Sequence, residues 1–297
     1  MEKFRAIILS AIIVIIFVSC KDLKKNNPYD PSGTAYLGVT YKGQIWYPDN
    51  AEISSMITLS GRLVLAGYNP IDGYCVMKMT GDTTYSAIGG TGDAAGTFRF
   101  INDICSDDSG NIYAVDNKAM VQTISPSNIK GSWALTSTAG IDNLSIECLN
   151  SSIFISNNLD RTVTKYTLSG VFVDILSLSA TSYGSFVPGK IFRSAGSLYV
   201  VNAIDKRIIV KLSDTLVDSG EYEFQDSIVD GAMAGQQMQM AASQAVYKVD
   251  QGLGLTFKWG NFGVGPGRVL NGKLVAYDSS TDSVYVLDGL TIKKFGE

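Results

Sequence analysis

Histidine is absent from the 297-residue chain. That removes the commonest general base and the commonest transition-metal ligand, so any catalysis has to run on carboxylates, Tyr, Lys or a bound cofactor. Charge is scarce: Asp, Glu, Lys and Arg make up 18% of the residues and form no block of either sign. A nucleic-acid face or an acidic tail is therefore not indicated. The four cysteines include no Cys-x-x-Cys spacing, which argues against a structural metal site. What is plentiful points in one direction. Hydrophobic residues reach 45%, beside 30 Gly, 15 Tyr and 12 Phe, a composition of strands and tight turns with ample core for one large all-β domain.

The N-terminus has its own character. Lys3 and Arg5 precede Ala6 to Ser19, an apolar run of 14 residues that falls short of the ~20 needed to cross a bilayer as a helix. The run ends in Phe17-Val-Ser-Cys20, which resembles the lipobox of bacterial lipoproteins. The resemblance implies cleavage before Cys20 and lipidation of its thiol. Residues 20–33 are polar, contain Pro28 and Pro31, and lack periodicity, as a tether would. Without residues 1–19 the chain carries 22 basic and 27 acidic residues, a net of −5. The expected address is a bacterial cell envelope, lipid-anchored to a membrane.

From about residue 54 onward one pattern recurs. Its clearest copy is Gly110-Asn-Ile-Tyr-Ala-Val-Asp116, and aligned copies place Leu63, Ile112, Ile153, Leu198, Met238 and Val284 at 40 to 49 residue intervals. A shorter apolar run precedes each copy. A third run follows, with Lys before its last apolar residue in Lys78-Met79, Lys165-Tyr166, Lys211-Leu212, Lys248-Val249 and Lys294-Phe295. Runs such as Ser132 to Leu135 and Val171 to Leu176 supply a fourth strand. Four-stranded units at this period are propeller blades. In the second strand Ile112 and Ala114 lie on one side and Tyr113 and Val115 on the other, so both faces are apolar, as stacking between neighbours requires. Six repeats fill the chain. The last stops at Phe295, and the N-terminal segment Tyr36 to Tyr41 is placed to complete its sheet and close the ring.

Asn202-Ala-Ile-Asp-Lys-Arg-Ile-Ile-Val-Lys-Leu212 and Asn157-Asn-Leu-Asp-Arg-Thr-Val-Thr-Lys-Tyr166 resemble the NHL repeat, and Gly96-Thr-Phe and Gly184-Ser-Phe resemble its lead-in. The resemblance covers about residues 54 to 297. It implies an all-β fold, a six-bladed propeller over residues 34–297, in a family whose members mostly bind proteins, RNA or small ligands. Some relatives are lyases, lactonases or dehydrogenases.

Function is expected at one mouth of the central channel, where loops between second and third strands meet those between blades. Arg99, Asn102, Asp103, Asp142, Asn143, Tyr183 and Arg268 lie in or beside those loops and are the candidate binding residues. Glu147, in a first-strand run, is a weak catalytic candidate because burial there would raise its pKa. Asp116, Asn157, Asn202 and Asp288 recur after the second strand, which suggests a structural task in each blade. Asp107 to Asn111 and Asp278 to Asp282 read as hairpin turns rather than calcium loops, and Gly89 to Gly96 lacks the following helix of a phosphate cradle. With Cys20 assigned to lipid, the sequence favours free, buried thiols for Cys75, Cys105 and Cys148. No cofactor or metal is implied. The function read from the chain is a membrane-anchored binding or scaffold module for a protein or small ligand, with a propeller enzyme acting on a carbohydrate or lactone as the alternative.

Overall fold

The computed structural model describes residues 39–296, except 49, 95, 127–128, 137–142, 235–236, 251 and 260–267. Six four-stranded antiparallel sheets account for nearly all of the regular structure, with no helix among the described residues. The inner strands are Glu52–Leu59, Ile101–Ser106, Leu144–Leu149, Pro188–Ser194, Ile228–Ala234 and Gly272–Asp278. They stand side by side around the axis, each touching the inner strands of the blades before and after it. The second strands are Arg62–Asn69, Ile112–Asp116, Ser152–Asn157, Ser197–Asn202, Gln237–Ala242 and Ser283–Asp288. The repeat derived from the sequence is thus the second strand of each blade.

Two-faced burial follows from the stacking. Tyr113 and Val115 pack with Ile153 and Ile155 of the third blade, whereas Ile112 and Ala114 pack with Val64 and Ala66 of the first. Each of the six apolar clusters fills one interface between neighbouring blades, so the protein has a ring of cores rather than one centre. The recurring third-strand lysine belongs to this arrangement. Lys165, Lys211 and Lys294 lie over the rings of Phe154, Tyr199 and Tyr285, their cross-strand partners, at 5.5 to 5.6 Å. Lys78 and Lys165 also reach the next blade, donating to the carbonyls of Ser125 and Pro126 and of Asp214. At Lys165 one residue does both, covering an aromatic in its own blade and fastening a turn in the following one.

The ring closes as the sequence implies, by an N-terminal strand. That strand is Thr40–Ile45, paired with Thr291–Gly296; it shares Thr40 and Tyr41 with the expected segment Tyr36 to Tyr41, of which residues 36–38 lie outside the described residues, and continues further along the chain. Register decides this: Tyr41 falls opposite Phe295, with ring centroids 5.9 Å apart, and Ile45 falls opposite Ile292.

The cysteines require a correction. Cys105 and Cys148 are joined in a disulfide, and among the described residues only Cys75 is free, and it is buried. The two half-cystines lie on the adjacent inner strands of blades two and three and face the same interface, with Cα atoms 5.7 Å apart. Cys20 and the segments 1–19 and 20–33 lie outside the described residues.

Candidate functional site at the waist of the channel

Five of the six inner strands carry a β-bulge near their start, between Ile53 and Ser55, Ile101 and Asp103, Pro188 and Ile191, Ile228 and Asp230, and Gly272 and Leu274. A bulge re-aims the side chains around it and increases the local twist. In the first blade the bulge sits against Gly67, where a Cβ would lie 1.9 Å from the Glu52 carbonyl oxygen, so only glycine fits.

At this level the strands present Ser55, Asp103, Ser145, Lys190 and Asp230. Lys190 Nζ lies 2.8 and 2.9 Å from the two carboxylate oxygens of Asp103 and 3.6 Å from Asp230 Oδ1. Ser55 donates to one Asp103 oxygen and Ser145 to the other, while the Ile146 N–H donates to Oδ2 at 3.1 Å. Ile191 N–H donates to Ser145 Oγ, and Val275 N–H to Asp230 Oδ2 at 2.9 Å. One polar belt thereby ties all six inner strands together across the axis.

Burial disfavours the charge on Lys190, but Asp103 and Asp230 outweigh it and hold the ammonium above the ordinary lysine range. Asp230 is pushed up to about 6 by burial, with Lys190 opposing. Glu147 is pushed up to about 7, again by burial, against the pull of Arg193, of the Cys148 N–H and of Lys190.

The belt divides the channel into two cavities. The first, of about 540 Å3, lies at the end where the inner strands begin and is lined by Asn102, Asp103, Asn143, Asn158, Lys190 and Lys206 among others. The second, of about 280 Å3, lies at the opposite end and holds Glu147, Arg193 and the other side of Lys190. Asn143 and Asn158 make no side-chain hydrogen bond among the described residues, and Lys206 is exposed at the mouth. The first cavity thus combines open amide groups with an uncommitted surface cation, a lining suited to a polar ligand of small to moderate size.

Of the residues expected at the binding mouth, Asn102, Asp103 and Asn143 do come together around the first cavity. Arg99 instead closes a two-pronged pair with Asp93 on the loop surface, Nε to Oδ1 at 2.5 Å and the second nitrogen to Oδ2 at 2.7 Å. Tyr183 is half-exposed at the tip of a small hairpin, Ala180–Thr181 with Gly184–Ser185. Arg268 gives its carbonyl to Lys293 Nζ, and Asp142 lies outside the described residues. Glu147 is mostly buried and lines the second cavity, not the first. Lys190 and Asp230 were not anticipated. Their signal was available in the 40 to 48 residue spacing from Ser55 through Asp103, Ser145 and Lys190 to Asp230.

The repeated residues after the second strand are fasteners. The side-chain oxygen of Asn157 accepts the N–H groups of Leu159 and Asp160, that of Asp116 those of Lys118 and Met120, and that of Asp288 those of Leu270 and Asn271. Asn202 accepts from Ile204 and from Val187, and Asn69 in the first blade does the same work for Ile71 and Asp72. The two acidic runs are also turns: Asp107 accepts from the N–H groups of Ser109 and Asn111 and from Tyr113, and Asp278 from Ser280 and Thr281. No group of three metal-ligating side chains occurs among the described residues.

No family model and no curated protein matches the chain. Its fold is similar to solved propellers. A streptogramin B lyase structure superposes with a TM-score of 0.63 at 10% identity, covering 89% of this chain and 99% of that one. A catalytically inactive histidine-to-alanine variant of virginiamycin B lyase from Staphylococcus aureus, solved with quinupristin, gives 0.59 at 9% identity over 86% and 98%. The selenomethionine form of virginiamycin B lyase from the same organism gives 0.59 at 11% over 85% and 83%. At these identities the likeness is one of fold.

Proposed function

We propose that the chain is a lipid-anchored envelope protein whose NHL-like propeller binds a polar ligand, a small molecule or a protruding segment of a partner protein, at the mouth of the first cavity. The observation that carries the binding role is the unspent lining of that cavity. Among the described residues nothing takes the Asn143 and Asn158 amides, and Lys206 stands free at the rim. Such groups at a concave mouth are available to fix the orientation of a polar ligand. The Cys105–Cys148 disulfide fits an oxidising compartment outside the cytoplasm, which agrees with export through the segment ending at Cys20.

Binding is tested by placing a photo-crosslinker at Asn143 or Asn158 and, for comparison, at Ser169, a turn on the opposite side of the propeller. A species captured in the native envelope from the first two positions and absent from the third supports the reading. Equal capture from all three, or none, sinks it. Anchoring is tested separately: labelled palmitate should be incorporated, and Cys20→Ala should abolish incorporation.

A lyase role has one observation in its favour, the mostly buried Glu147 with its pKa near neutrality. Against it, a variant of the structurally similar lyase is inactive after loss of a histidine, and this chain has none. Incubated with quinupristin, the full chain should leave the compound unchanged by chromatography.

A further inference from the structure

The second cavity has a chemistry of its own, and its key residue is Arg193. Two other arginines close their forks. Arg99 takes Asp93 at 2.5 and 2.7 Å, and Arg207 takes Asp205 at 3.0 and 2.7 Å, both on the surface. Arg193 is more buried, with a side-chain exposure of 29%, and closes no such fork. Its contacts are the Ser106 carbonyl at 3.4 Å, Glu147 Oε1 at 3.6 Å and Asp108 Oδ1 at 3.9 Å, the last on a fully solvated side chain. A guanidinium presents five N–H donors in a planar fork that matches a carboxylate. Part-exposed beside the cavity and held only by long contacts, this one keeps donors accessible to a group that enters there.

Around this cation the walls mix polar groups, among them Thr58, Ser106 and Asp230, with apolar ones. Met56, Ile104, Phe192, Met233 and Val275 face the same cavity of about 280 Å3, with Met233 exposed at its rim. Space of this size admits a small molecule and not a peptide.

We infer that this mouth of the channel is a binding site for a small organic carboxylate, its oxygens on the Arg193 guanidinium and its apolar body along Met233 at the rim, beside Met56. Glu147 sets the conditions. As a neutral acid it donates a hydrogen bond to the incoming carboxylate; as an anion it competes for Arg193 and repels the ligand. The charged groups acting on Glu147 are Arg193 and Lys190 from the inner strand of blade four and Asp103 from blade two, with Asp108 on the far side of Arg193 and Asp230 across the cavity. Binding should therefore weaken as pH rises from 6 to 8. The site is independent of the first cavity, so either can fail without the other.

The test uses the full-length chain, with hexanoate and hexanol as probes and methionine-methyl NMR as the readout. Hexanoate should bind saturably, shifting the methyl signals of Met56 and Met233 and leaving Met120 unmoved. Hexanol should bind more weakly by a factor of about ten or more, since it lacks the charge-assisted bonds. Arg193→Gln should weaken hexanoate by a similar factor and hexanol hardly at all, with Arg193→Lys in between; circular dichroism establishes that each variant is folded. Equal affinity for the two probes, unchanged binding by Arg193→Gln, silent Met56 and Met233 methyls, or no saturation with hexanoate would each overturn the proposal.

Discussion

Two sets of equivalent positions behave in opposite ways. At the end of the second strand the blades carry Asn69, Asp116, Asn157, Asn202 and Asp288, and each does the same job, accepting N–H groups from neighbouring loops. At the waist of the channel the blades carry Ser55, Asp103, Ser145, Lys190 and Asp230, and these divide the work: the two serines donate to Asp103, and the two acids hold the one lysine. Sameness arises where each blade faces a problem internal to itself. Difference arises where six blades meet at one point, because a lysine on the axis needs acids beside it rather than five more lysines.

The largest effect should come from breaking the belt. Lys190→Met leaves Asp103 and Asp230 without their cation in a buried place and should cost about 3–5 kcal/mol. Urea unfolding measures it. Adding Asp103→Asn to that variant should recover part of the loss, and a double variant no better than Lys190→Met alone would mean that the belt is not held by charge.

Next in size is a dependence on pH. The pKa values of Glu147 and Asp230 are raised in the folded chain, to about 7 and about 6, so the folded state holds protons that the unfolded state has released. Their contribution to stability is full below the ordinary carboxylate range and is lost as pH rises through the folded values. Unfolding free energy should fall by about 1–3 kcal/mol between pH 4.5 and 7.5 on this account. Glu147→Gln should flatten most of the upper part of that slope in denaturant titrations at a series of pH values.

At the repeated positions the effects are smaller and should be alike from blade to blade. Asn157→Ala removes the acceptor for Leu159 and Asp160 and should cost about 1–2 kcal/mol by chemical unfolding. Burial raises the pKa of Asp116, so Asp116→Asn should be neutral or stabilising by up to about 1 kcal/mol near pH 7. A large loss there would show that this acid is not a fastener like the rest. Smallest is Lys165→Met, which forfeits the contact over Phe154 and the bond to the Asp214 carbonyl and should cost about 0.5–1.5 kcal/mol in thermal unfolding.

Legibility in the sequence follows the same division. The second strand could be read because its apolar residues on both faces, its closing Asn or Asp and its spacing are local properties repeated along the chain. Asp103 could be read because it stands beside the end of a long loop between blades, where a channel residue is expected. Lys190 carries no such mark: a lysine near the start of a strand ordinarily points to solvent, and a single residue cannot announce an acid 87 positions earlier in the chain. Asp230 sits in the fifth blade, whose second strand, Gln237–Ala242, departs most from the pattern. Arg99 was read as a channel residue from its place in a long loop, but a nearer acid, Asp93, took its fork.

By itself the sequence determined the repeat, the number of blades, the closure of the ring by an N-terminal strand and the structural task of the residues after each second strand. All of these depend on periods and turns that neighbouring residues encode together. Only the tertiary structure decided that Thr40–Ile45 closes the ring, that Cys105 bonds to Cys148, and that Lys190 sits between Asp103 and Asp230 with a cavity on either side. Those pairings join residues 40 or more positions apart, and their partners are chosen by which strands the ring sets side by side and by how the bulges aim their side chains.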